Sequence, residues 1–161
     1  MKRAILHIIR NSIFLLAFLS IAAGLAAQGS SEKTYDDTKK EIQATFGFFP
    51  LIFQAFPAYA LPGAWEAFKE LGSPESQIPA KYRELIQLAV ASQIPCIYCI
   101  YFHTYSAKMA GATDEEIKEA IAHGASTRQW SMILQGNQVD FDAFKKEVQE
   151  MMKYVSEHAK N

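Results

Sequence analysis

The sequence is short of cysteine: two in 161 residues, Cys96 and Cys99. That excludes a disulfide-stapled scaffold, and a bridge between residues so close in the chain would add little chain-entropy stabilisation. An excess of either charge is also missing. Sixteen Lys and Arg stand against 17 Asp and Glu, so the chain lacks the cationic surplus of a polyanion binder, and nucleic acid is not expected as a partner. There is no internal repeat, no low-complexity tract and no sustained strand-like alternation. The length suits one domain with a real hydrophobic core and is too small for two.

What is present begins with a distinctive amino terminus. Lys2, Arg3 and Arg10 precede an apolar run from Ile13 to Ala27, and small residues crowd its end. This pattern predicts a secretory signal peptide over 1–27. The run is about 15 residues, short of the roughly 20 needed to span a bilayer, so an uncleaved anchor is the lesser alternative. No cysteine stands at the end of the run, which excludes lipidation there. Residues 28–34 read as a flexible tether, and 35–158 as the folded domain, expected in an exported, periplasmic compartment. Cleavage would remove three basic residues and no acidic one, moving the formal charge from −1 to −4.

Beyond the tether the apolar positions recur at three and four residues, and Gly and Pro fall between the periodic runs, so the fold class is all-α. A first helix is predicted over 34–46, ending at Gly47. The aromatic stretch through Phe48, Phe49, Phe53 and Tyr59, interrupted by Pro50, Pro57 and Pro62, should form short helical turns. Further helices are expected over 64–71, from Pro79 to about Ser92, and from Pro95 to Ala110 with Gly111 as cap. Thr113–Glu116 is a capping box opening a helix that stops near His123–Gly124, with another running on to Gly136–Asn137. Asp140 caps the last helix, whose stripe of Phe141, Phe144, Val148, Met151 and Val155 is apolar. Trp65, Trp130 and the Phe48, Phe49 and Phe53 group are read as core or subunit interface, and His123 as a helix-end residue. Eleven Phe, seven Tyr and two Trp exceed what so small a domain readily buries, which predicts a homo-oligomer.

The chemistry concentrates at 96–103. In a helix starting at Pro95, Cys96, Cys99 and His103 occupy positions i, i+3 and i+7 on one face. Cys96 would lie in the first turn, where unpaired amides and the helix dipole favour a thiolate. His103, one turn beyond Cys99, is placed to exchange a proton with that sulfur. Glu84, on the preceding helix in an otherwise apolar row, is the candidate second acid–base group; its alternative is a solvated residue paired with Lys81 or Gln87. A zinc site from the two thiols, His103 and Glu84 is conceivable, but structural zinc sites generally use two separated ligand pairs, so no metal is expected.

These residues resemble the alkylhydroperoxidase D-like (AhpD-like) branch of the carboxymuconolactone decarboxylase family. The resemblance runs from about Phe46 to Met152 and rests on Glu84, the Cys96-Ile97-Tyr98-Cys99 motif, His103 and the Gly111–Ile117 segment. It implies an all-helical bundle with the C-x-x-C at the N-terminus of a central helix, assembled as trimers or hexamers. It also implies reduction of a small-molecule hydroperoxide without cofactor: Cys99 attacks, Cys96 resolves, and Glu84 and His103 relay protons. Tyr98 stands where the best-studied members carry a further His. The reductant is expected to be an external dithiol or a thioredoxin-like protein. Helix physics taken alone favours Cys96 as the more acidic thiol, whereas proton delivery to the leaving oxygen favours Cys99 beside His103. The alternatives are a general thiol–disulfide exchanger and a non-catalytic oligomeric ligand-binding protein with a locked disulfide.

Overall fold

A computed structural model describes residues 33–159. The expected signal segment and all but the end of the tether lie outside the described residues. Among those described, all regular structure is helical: α1 (Tyr35–Phe46), α2 (Leu51–Gln54), α3 (Leu61–Gly72), α4 (Ala80–Gln93), α5 (Ile97–Met109), α6 (Asp114–Gly136) and α7 (Phe141–His158). None of these helices is long and apolar enough to cross a membrane. The chain divides after Ser73 into two compact units.

The first unit holds α1 to α3. Thr34 caps α1 by accepting the Asp37 N–H at 3.2 Å, and Gly47 ends it in the left-handed conformation, φ 80°, with its N–H on the Gln43 carbonyl. Proline punctuates the rest as anticipated: Pro50 stands immediately before α2. Pro62 is accommodated in the first turn of α3, where a missing N–H costs nothing, so that helix begins three residues before the expected Ala64. Ile42, Phe53, Leu61 and Trp65 form the core, with the Phe53 and Trp65 rings edge to face at 5.3 Å. Phe48 and Tyr59 stay exposed. Lys33 and Lys69 pair with both Glu41 and Glu66, joining α1 to α3 by contacts too solvated to add much stability.

The second unit holds α4 to α7. Leu88, Ala107, Ala112 and Ile117 form its core, supported by Leu85 and Ile100. The predicted capping box is present: the Thr113 hydroxyl accepts the Glu116 N–H at 3.1 Å, and the Glu116 carboxylate accepts the Thr113 N–H at 2.8 Å. The other oxygen of Glu116 accepts from Lys81 Nζ at 2.7 Å, tying the starts of α4 and α6 together. The Lys81 amine, hydrogen-bonded to this carboxylate, is correspondingly held above its ordinary pKa.

One sequence expectation fails here. The two helices predicted to meet at His123–Gly124 are a single helix of 23 residues, so His123 is not a helix-end residue. Gly124 permits close packing instead of a stop: a Cβ there would sit 3.3 Å from the Ala89 carbonyl oxygen and 3.4 Å from the Ala89 Cβ. Its missing side chain lets α6 approach α4. Gly124→Val is therefore expected to destabilise the fold by about 1–3 kcal/mol through overpacking against backbone that cannot step aside. A thermal melt checks this, and an unchanged midpoint would mean that the two helices are free to separate there.

Asp140 caps α7 as expected, its Oδ1 accepting the Ala143 N–H at 2.7 Å. The amphipathic helix that follows has no buried residue.

Candidate active site

The site is built on the corner between α4 and α5. Ile94 ends α4 with its N–H on the Val90 carbonyl, and Pro95 prevents α4 from continuing. The Cys96 N–H then reaches back to the Ala91 carbonyl at 3.0 Å. This changes one expectation: the helix begins at Ile97, and Cys96 is its N-cap with extended backbone, φ −89° and ψ 103°. Its sulfur takes the role a Ser or Asp oxygen usually plays, accepting the Cys99 N–H at 3.4 Å.

The two thiols are free, with Sγ atoms 2.9 Å apart. The shared hydrogen bond acts on them in opposite directions. It lowers the Cys96 pKa below the ordinary thiol value, assisted by the backbone N–H groups of the first turn, and together with burial it raises that of Cys99. As pH rises Cys96 ionises first, while Cys99 keeps its proton to higher pH. The expected outcome is selective alkylation of Cys96 in the reduced protein below pH 9, measured by peptide mapping after brief exposure to iodoacetamide. Preferential labelling of Cys99 would contradict the capping role of Cys96.

His103 lies on α5 one turn beyond Cys99, and its Nδ1 is 2.8 Å from Glu84 Oε2. Both side chains are largely shielded, with relative accessibilities of 15 and 22 %. A carboxylate accepting from Nδ1–H orients the ring and leaves Nε2 for acid–base exchange. Glu84 has thus taken His103 in place of Lys81, which belongs to Glu116. The structure brings Cys96 against Cys99 and Glu84 against His103. Tyr98, 81 % exposed, turns its ring to solvent and does not join them. Among the described residues no three or more His, Cys, Asp or Glu side chains converge on a metal site.

Residues 50–139, which include this whole constellation, match the sequence profile of the carboxymuconolactone decarboxylase family. The chain belongs to that family. An uncharacterized protein of Cupriavidus necator is 36 % identical over 82 residues, covering 51 % of this chain and 68 % of that relative. Among solved structures, the alkylhydroperoxidase AhpD core of Rhodospirillum rubrum matches with a TM-score of 0.58 and 27 % identity, over 68 % of this chain and 85 % of that one. The all-helical AhpD-like fold, with its cysteine pair at the start of α5, therefore agrees with the fold that the sequence motif implied.

Sequence reasoning missed what surrounds His123. With α6 continuous, His123 and Arg128 line an apolar groove shared with Tyr82, Leu85, Ile86 and Val90 of α4. The signal was available: Gly124 is followed by Ala125 and Ser126 with neither proline nor a capping pattern, which suits a continuing helix better than a stop.

Proposed function

We propose that this family member is a thiol-dependent hydroperoxide reductase. The observation that carries the reading is the pairing of two sulfurs in hydrogen-bond contact with a shielded His103–Glu84 pair one turn away. Peroxide reduction needs both: a thiolate to break the O–O bond and a proton for the oxygen that leaves.

Of the two thiols Cys96 gives up its proton first and Cys99 holds its own longer. Transfer of that proton to Cys96, or to His103 Nε2, frees the Cys99 thiolate. It attacks the terminal peroxide oxygen, the O–O bond breaks, and the alkoxide takes a proton from the relay to leave as alcohol. Cys99 is then a sulfenic acid. The Cys96 thiolate attacks that sulfur, hydroxide departs and is protonated to water, and a disulfide remains. An external dithiol, itself oxidised to a disulfide, restores both thiols. Two thiols and one hydroperoxide thus yield one disulfide, one alcohol and one water. This chemistry needs no cofactor, and in this reading it operates in an exported compartment.

Thiol titration before and after one equivalent of hydroperoxide tests the proposal. The expected result is loss of two thiols per equivalent with formation of a Cys96–Cys99 disulfide. Unchanged thiols would remove the peroxidase reading. A thiol–disulfide exchanger is the second reading, favoured by the lowered Cys96 pKa at the exposed end of α5. Faster turnover on a model disulfide than on a hydroperoxide would select it.

A further inference from the structure

Phe102 and His103 stand three and four positions after Cys99, the two places on a helix whose side chains lie over the turn before them and so over that cysteine. Successive side chains on a helix point about 100° apart, so adjacent rings have no need to meet. These two do. Their centroids are 5.2 Å apart and their planes cross at 86°, the perpendicular geometry that aromatic pairs favour. The contact serves the imidazole more than the core: Phe102 is 42 % exposed and lies outside the buried cluster of Leu88, Ala107, Ala112 and Ile117.

An imidazole needs two restraints to keep one orientation. The torsion that turns the ring has broad minima, unlike the staggered wells of aliphatic side chains. The hydrogen bond between Nδ1 and Glu84 Oε2 pins one atom, and a ring pinned at one atom still rocks about it. The carboxylate gives little help, since its own terminal torsion is equally soft. Lys81 is engaged by Glu116, and Tyr98 faces solvent, so neither supplies the second restraint. Among the described residues Phe102 is the one aromatic ring in contact with His103, and it stands across the imidazole plane, where rocking would meet it.

We propose that Phe102 is a positioning residue: its ring holds the His103 imidazole in the orientation that keeps Nδ1 on Glu84 and leaves Nε2 for proton exchange. A perpendicular ring pair of this kind favours the held orientation by about three- to tenfold. The consequence for turnover rests on the peroxidase reading; the orientation itself does not.

The test compares Phe102→Leu, which keeps apolar bulk without a ring, with Phe102→Tyr, which keeps the ring. Exchange of the His103 Nδ1 proton with water, read by NMR in isotope-labelled reduced protein, should be about three- to tenfold faster in Phe102→Leu, because it proceeds through orientations released from Glu84. In Phe102→Tyr it should stay within about twofold of the unaltered protein. With a hydroperoxide, kcat/KM should fall by the same factor in Phe102→Leu and recover in Phe102→Tyr. Alkylation of Cys96 by iodoacetamide should change by less than about twofold in both, since that reaction needs no proton donor. Added to Glu84→Gln, Phe102→Leu should cost less than about twofold more, because both act through one ring. A proton exchanging too fast to observe in the unaltered protein, unchanged exchange in Phe102→Leu, equal effects of the two substitutions, or a full loss on top of Glu84→Gln would each overturn the proposal. A protein that consumes no hydroperoxide removes the peroxidase reading, and the exchange measurement then decides the positioning role alone.

Discussion

Cys99→Ser is expected to bring hydroperoxide consumption down to the uncatalysed rate. A serine hydroxyl in that position keeps the size of the side chain and a hydrogen bond to the neighbouring sulfur, but it is a poor nucleophile without a thiol's acidity. Cys96→Ser should behave differently. It leaves Cys99 able to attack once, so a single equivalent of peroxide is consumed, the sulfenic acid persists, and turnover stops for lack of a resolving thiol. The pair is checked by following peroxide loss over one and many equivalents and trapping the sulfenic acid with dimedone. Should Cys99→Ser instead hold the stable sulfenic acid, attack belongs to Cys96, in keeping with its lower pKa, and the two sulfurs exchange roles.

The second large effect is expected at Glu84. Glu84→Gln keeps the length of the side chain and an oxygen able to accept from His103 Nδ1, while removing the carboxylate from the pair. Loss of an acid–base partner of this kind costs about 10²-fold or more, so kcat/KM for a hydroperoxide should fall by that factor. Alkylation of Cys96 by a small electrophile should stay within about twofold, because that reaction requires no proton on a leaving oxygen. Equal losses in both measurements would show that Glu84 merely maintains the thiol geometry. His103→Asn should reproduce the Glu84→Gln pattern, and the double variant should be little worse than either, since the two groups act as one relay.

Much of the helical order is visible in the sequence because local chemistry decides it. Thr34 and Gly47, the Thr113–Glu116 box and Asp140 each mark an end that the structure places at the same residue or one beside it. The spacing of Cys99 and His103 likewise places them one turn apart. What escaped was decided by contact between elements. Gly124 reads locally as a terminator, yet its lack of a side chain serves α4, and only the Ala89 backbone across the interface reveals that. The sequence places Cys96 two positions deeper in the helix than it stands, because Pro95 is acceptable inside a helix start. The hydrogen bond from Cys96 N–H to Ala91 holds the chain extended there and defers the helix to Ile97. The partner of Glu84 was also undecided, since Lys81, Gln87 and His103 were all within reach of a helix whose orientation the sequence leaves open. Lys81 is drawn off by Glu116, a residue 35 positions away.

The sulfur that caps the start of α5 has a double employment. Reduced, it holds the Cys99 amide within the first turn; once bonded to its neighbour it can no longer carry the charge that made it a good anchor. Each catalytic cycle would loosen and retighten the first turn, exposing the bridged sulfurs to an incoming dithiol when they most need to be reached. Alanine at 96 would leave that turn permanently slack, whereas serine would hold it shut in every redox state.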